Sequence, residues 1–285
     1  FWQLVFNPSF LDRISHVYMG AWQAGAFFVI SVAAWYLLKK KHHDFAVGSI
    51  RIAVGIAVVA SLLQLVTGHS SATTMAETQP AKLAAFEGHF EASTPAGMYI
   101  VGWVDDDTEE VSGLQIPGML SWLVHFDTEA PVTGLRAFPP DDRPPVNLVF
   151  QTYHMMVAIG MALIVLALYS GFAVWRGRLY DNRWLLWILV FSVLLPQAAN
   201  QLGWASAEIG RQPWIVYGLL RTQDAVSTSV GSGQIWSSLI LFGLIYLLLF
   251  ILFIYLLNEK IQHGPDVPDR RDEAEPPEAM EGPRA

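Results

Sequence analysis

Five stretches of this chain are apolar for long enough to cross a bilayer, near residues 14–38, 46–68, 148–175, 183–203 and 232–257. An α-helix rises about 1.5 Å per residue, so about 20 apolar residues cover the roughly 30 Å of hydrocarbon. Inside lipid a backbone must satisfy its own hydrogen bonds, which leaves the helix as the spanning form for segments of this length. The chain therefore reads as an all-α, polytopic transmembrane helical bundle with five spans and a long external loop. Hydrophobic residues make up 53% and charged residues 15% of the 285 positions, and mean hydropathy is +0.37, which excludes a soluble reading. There is no cysteine, so disulfides, iron–sulfur clusters and thiolate zinc sites are excluded.

The opening "FWQLVFNPSFLDR" has neither a basic n-region nor a small-residue cleavage site and is not a signal peptide. It also lacks an initiator Met, so the chain is expected to be a fragment or a processed piece of something longer. Basic residues gather in the short connections: Lys39, Lys40 and Lys41 after span one, Arg176, Arg178 and Arg183 between spans three and four, and Lys260 after span five. The long connection, residues 69–147, holds twelve acids against Lys82, Arg136 and Arg143. Positive charge collects on the cytoplasmic side, which puts residues 69–147 outside and the C-terminus inside. In a bacterial inner membrane, outside is the periplasm. The expected organisation is a helix pair over 1–68, an external loop over 69–147 that is at least partly folded, three further helices over 148–258, and a tail over 259–285. From residue 264 the tail is rich in proline and charge, and disorder is expected there.

Within the spans lie two histidines, His16 and His154, and four methionines, Met19, Met155, Met156 and Met161. Histidine and methionine are the axial pair of electron-transfer haems. His16 and the Met155–Met156 pair stand at similar depths from the external ends of spans one and three, so a haem fits between those two helices. Gly20 and Gly160 each follow a candidate ligand by four residues, on the same helix face, and leave room for a flat macrocycle. The plainer alternative is a histidine bonded to a neighbouring helix, with methionine as packing. At the external end of span four, "GWASAEIGRQPWIVYG" carries Glu208 and Arg211, with Gly210 and Pro213 ending the helix around them. Such a carboxylate is either a weak iron ligand beside an arginine that pairs with propionates, or one half of an interfacial salt bridge.

The stretches "GWASAEIGRQPW", "QPAKLAAFEGHFE", "FNPSFLDRISHVYMGAWQAGAFFV" and "FQTYHMMVAIG" closely resemble subunit I of the cytochrome bd quinol oxidases, in order and over nearly the whole chain up to the tail. The resemblance implies helices five to nine of a nine-span subunit, with its quinol-binding loop. It assigns His16 and Met156 as axial ligands of the low-spin haem b, and Glu208 as the axial ligand of the high-spin haem b. Trp204 becomes the aromatic between haems and Arg211 the haem-site arginine. Lys82 and Glu87 become the loop pair that oxidises quinol; by spacing alone they would read as a solvated pair. A third haem, d or b, is expected to be held by the four helices absent from this sequence. Two departures stand out: His154 where the family carries arginine, which bears on the low-spin haem's potential, and His69 where it carries aspartate, which bears on the loop's anchoring. The loop is also of the shorter kind.

The resemblance implies an electrogenic quinol:oxygen oxidoreductase of the bacterial inner membrane, oxidising ubiquinol or menaquinol at the outer face and reducing O2 to water. Expected partners are subunit II, a small accessory membrane peptide, the missing N-terminal helices and the lipid bilayer, with no nucleic acid. The 285 residues alone are expected to bind the low-spin haem without reducing oxygen. The rival reading is a haem-free channel, transporter or structural fragment, in which Glu208 and Arg211 line a path or merely pair.

Overall fold

The computed structural model describes residues 2–265 and forms two compact units, Phe1–Gly231 and Ser232–Ala285. Five helices are long and apolar enough to cross a membrane. The expected disorder of the tail falls almost wholly on residues outside those described.

In the first unit a short helix, α1 (Trp2–Val5), precedes α2 (Phe10–Lys39). The Asn7 side chain accepts from the Ser9 amide at 3.1 Å and its hydroxyl at 2.9 Å, turning the chain into α2. Span two is α3 (His43–Thr78), which passes the expected end at residue 68 by ten residues. No glycine or proline interrupts residues 69–78, and Thr78 bonds back to the Thr74 carbonyl at 2.7 Å. Pro80 then stops the helix, because the residue before proline avoids helical geometry; Gln79 has φ −143°. The helices α2 and α3 meet along small-residue stripes, Ala26, Ala33 and Ala34 against Ala46, Ala53, Ala57 and Ala60. Small side chains let membrane helices approach closely where the hydrophobic effect offers no drive. A buried bond from Gln23 to Ser61, at 2.8 Å, fixes the register.

Span three is α6 (Val146–Trp175). Span four is broken into α7 (Arg183–Phe191) and α8 (Leu194–Ile209), where sequence had implied one helix. Pro196 is the cause, since it has no N–H for the carbonyl four residues back and its ring crowds that carbonyl. At the break the Val190 carbonyl accepts from Ser31 on α2 at 2.6 Å. These spans close a ring: α2 on α3, α3 on α6, α6 on α8, and α7 and α8 back on α2. Helices α2 and α6 therefore face each other across the ring, without a substantial contact of their own.

The long segment between spans two and three is folded. It contains α4 (Pro80–Phe86), a hairpin of β1 (Met98–Asp105) and β2 (Glu110–Ile116), and α5 (Met119–His125). Asp105 accepts the amides of Asp107 and Thr108 at 3.0 and 3.2 Å and closes the hairpin turn. Glu109 grips Arg136 and Arg143, each at 2.7 Å, and Arg136 also pairs with Glu91. The hairpin lies on the start of α6, where Gln151 donates to the Gly102 carbonyl at 2.8 Å. After α8 comes a small hairpin of β3 (Trp214–Val216) and β4 (Leu220–Arg221). Arg221 in it is paired with Asp142. The second unit's described part is the fifth span, α9 (Ser232–His263).

Candidate functional site

His16 sits two turns into α2, half-buried against α3. Its Nδ1 lies 3.0 Å from the Thr67 hydroxyl. That hydroxyl's proton is committed to the Leu63 carbonyl at 3.0 Å, so the hydroxyl can only accept, and Nδ1 is the nitrogen that carries hydrogen. The neutral ring then keeps its lone pair on Nε2, which faces the Gln64 amide nitrogen at 2.9 Å. A partner that fixes the tautomer from behind is what an iron-ligating imidazole requires. Gln64 Oε1 is buried and unmatched, so the amide is held there at a cost. Gly20 is not left open as expected: the Asn200 side chain of α8 fills its face, 3.0 Å from where a β-carbon would stand.

Across the ring, α6 turns Met156 inward and Met155 outward, 54% exposed. Successive residues are about 100° apart on a helix, so only one of the pair can face the ring. Met156 Sδ lies 2.7 Å from where a β-carbon of Gly203 would stand, so a side chain at 203 would push the thioether aside. Gly160 has open space beside it. An imidazole whose Nε2 keeps its lone pair, met here by Gln64, and a thioether, on helices with a gap between them, form a donor set that suits a low-spin haem. His154 is about 200° round the helix from Met156 and faces the β1–β2 hairpin instead. Its ring stacks on Phe150 at 3.8 Å and its nitrogens meet the Phe150 and Tyr99 carbonyls at 2.9 and 2.8 Å. His154 thus fastens α6 to β1. His69 packs edge-on against Phe126 at 4.9 Å.

Glu208 and Arg211 are ion-paired at 2.6 Å at the end of α8, 40% and 42% exposed. An ion pair this open contributes at most about 1 kcal/mol, so stability does not explain it. Trp204, one turn earlier on the same face, is 66% exposed. Lys82 comes to the same place from the loop. It is 6% exposed, and its Nζ donates to the Ala207 carbonyl at 2.9 Å. Burial, then the nearby Arg13 and Arg211, lower its pKa to about 8 against the opposing pull of Glu208. Arg211 paired with Glu208, and Lys82 close by, suit carboxylates such as propionates.

Glu87 ends α4 and is 1% exposed. Burial pushes its pKa up to about 7, against a smaller opposing pull from the Tyr153 hydroxyl. Tyr153 is near enough to act on the charge but is poorly aligned, since neither carboxylate oxygen has a formed hydrogen bond. Gly88 makes the burial possible: at φ +60° its α-carbon tucks beneath Val111 and Phe150. The pair that spacing made solvated is therefore buried on both counts, because α4 is sandwiched among α3, α6 and the last turn of α8. Sequence reasoning missed Thr67, Gln64 and Tyr153; a hydroxyl within an apolar span at the depth of His16 was the one available signal.

The fold and these donors define a multi-pass, α-helical membrane protein with an imidazole–thioether pair inside a helical ring. The chain matches the family model for cytochrome bd terminal oxidase subunit I over residues 1–265 and belongs to that family. It is 34% identical over 283 residues to the cytochrome bd ubiquinol oxidase subunit 1 of Bacillus subtilis, covering 95% of this chain and 60% of that one. A putative cytochrome bd menaquinol oxidase subunit I of the same organism is 35% identical over 90% of this chain. The cytochrome bd-II ubiquinol oxidase subunit 1 of Escherichia coli is 28% identical over 93%. The solved bd oxidase from Geobacillus thermodenitrificans superposes with a TM-score of 0.84 at 34% identity, over 92% of this chain and 60% of that one. The chain thus spans about three fifths of the length of these relatives.

Proposed function

We propose that this chain is the part of a quinol:oxygen oxidoreductase subunit that carries the quinol loop and the ligands of two haems. The observation that carries the reading is the anchoring of α4 by Lys82 on the Ala207 carbonyl, next to Glu208. It fastens the external loop to the proposed haem end of α8. His16 and Met156 would hold a low-spin haem b. Glu208 would hold a high-spin haem b, with Trp204 and Arg211 beside it, and a third haem, d or b, takes no ligand from this chain. When bound, these groups supply one-electron transfer and oxygen chemistry.

The chain's own residues position and deprotonate. Thr67 holds the His16 tautomer, and Arg13, Lys82 and Arg211 supply positive charge at the loop's base. Glu87 is a buried carboxyl with a pKa of about 7, so near neutral pH it can both take up and release a quinol proton. With the loop outside and the basic turns inside, proton release is periplasmic and turnover electrogenic. Subunit II, an accessory peptide, the remaining helices, ubiquinol or menaquinol, and O2 complete the system.

A reduced-minus-oxidised spectrum with quinol-driven oxygen uptake, measured on the complete oxidase containing this chain, tests the reading. Haem b bands and uptake are expected; an oxidase without haem bands would return the chain to the channel or scaffold class. A finer expectation concerns Thr67. Thr67→Val removes the acceptor behind His16 and should weaken haem retention about tenfold. Thr67→Ser should restore it, and equal retention in all three proteins would show that the hydroxyl does not hold the ring.

A further inference from the structure

Three residues of α6 tie β1 down along the helix, each further from its start. The Asn147 side chain accepts from the Val104 amide at 3.4 Å, and the Asn147 amide donates to the Asp106 carboxylate at 3.0 Å. Gln151 holds the Gly102 carbonyl and His154 the Tyr99 carbonyl, each at 2.8 Å. The tip of the hairpin is therefore level with the first turn of α6, and its base lies about 10 Å further along, at about 1.5 Å per residue. The 30 residues of α6 make a rod of about 45 Å. A bilayer with both headgroup layers is about 40–45 Å thick. The first turns of α6 thus cross a headgroup layer, and the hairpin beside them lies at that level.

The hairpin's side chains follow the same direction. Opposed residues of an antiparallel pair share a face, and every second residue returns to it. Gly102, Val104 and Val111 turn inward, towards Phe150. The other face carries, from tip to base, Asp105 with Glu110, Trp103 with Ser112, and Val101 with Leu114. Trp103, Val101 and Leu114 are 63%, 68% and 65% exposed, with no charge among them. Single exposed apolar residues are ordinary, but a contiguous group marks a contact surface.

We propose that this outer face is a lipid-contact surface, with Trp103 at the headgroup level and Val101 and Leu114 against the adjoining ends of the acyl chains. Tryptophan collects at that boundary. Leu148 and Met155, 52% and 54% exposed, stand within about 60° of Gln151 on α6, so the apolar face continues onto the span itself. The backbone limits how deep the contact goes. The edge of β1 is satisfied by α6, but the far edge of β2 is open, and an open edge is excluded from hydrocarbon. The headgroup layer supplies the polar partners that this edge needs. The proposal rests on the spanning helices and is independent of the quinol reading.

The test uses the complete oxidase in phosphatidylcholine nanodiscs, spin-labelled at one introduced cysteine. This chain has no cysteine of its own, and labels elsewhere are subtracted with the unsubstituted oxidase treated alike. Val101→Cys and Leu114→Cys report the base of the hairpin, and Asp107→Cys, at its exposed tip, is the aqueous reference. Collisions with O2, which dissolves in lipid, are compared with collisions with a water-soluble nickel chelate. The ratio of O2 to nickel collisions at 101 and 114 should exceed that at 107 by at least about fivefold, as expected for burial about 5–10 Å into the boundary. A ratio equal to that at 107 would place the face in water, and shielding from both reagents would place protein over it; either result overturns the proposal. As a second measurement, bimane on the same cysteines should be quenched at 101 and 114, but not at 107, by phosphatidylcholine brominated high in its chains. No quenching at 101 and 114 would overturn it equally.

Discussion

Replacing Met156 with leucine is expected to abolish the six-coordinate low-spin haem signal, whereas Met155→Leu should leave it intact. The two substitutions are chemically the same, and Leu and Met exchange at a cost usually below about 1.5 kcal/mol, so a difference between them reports ligation rather than folding. Met155 is 54% exposed, while Met156 stands over Gly203 with its sulfur 2.7 Å from where a β-carbon would be. Gly203→Ala should consequently displace the Met156 side chain and weaken the same signal without touching either ligand. Optical and magnetic circular dichroism spectra of the purified variants check all three. Survival of the signal in Met156→Leu with its loss in Met155→Leu would refute the assignment.

Glu87→Gln should lower quinol-driven turnover by at least about a hundredfold, the scale of a lost general base, and yet stabilise the loop. The sign follows from the raised pKa. Glu87 titrates near the ordinary glutamate value of 4.5 in the unfolded chain and near 7 in the fold. Below pH 4.5 the carboxyl is neutral in both states and nothing is lost. As pH rises from there, the unfolded chain releases its proton while the fold keeps it, and stability falls until the folded group also ionises near pH 7. The difference amounts to about 3 kcal/mol above that pH, at about 1.4 kcal/mol per pKa unit. Glutamine does not ionise and escapes the penalty. Protease resistance of the loop at pH 8 should rise in the variant as turnover falls. A variant that loses both activity and resistance would mean that Glu87 serves the fold and not the reaction.

Such a residue is stable only because the rest of the segment is built over it. Gly88 at positive φ, the hairpin locked by Glu109 between Arg136 and Arg143, and the stacking of Phe86 on Tyr153 at 4.6 Å all close on the same carboxyl. Removal of the Glu109 clamp alone should therefore loosen the hairpin before it touches His16 on α2 or Met156 on α6.

The five spans are legible in the order of residues alone, because bilayer thickness turns composition directly into helices. The same order also determined the candidate donors His16 and Met156, because few ligand-type side chains occur at membrane depth and helical rotation separates Met156 from Met155. The break in span four was present as Pro196 but hidden within an apolar run. The rest depends on contacts between residues far apart in the chain. Thr67 locks His16 across fifty-one positions, and Lys82 reaches Ala207 across 125. A cavity lined by Glu77 and His125 exists only where α3, α4 and α5 meet. The burial of Lys82 and Glu87 belongs to the same class. Local sequence sets a helix's periodicity, but desolvation, and with it a pKa of about 7 for Glu87, is set by whatever segment packs on top.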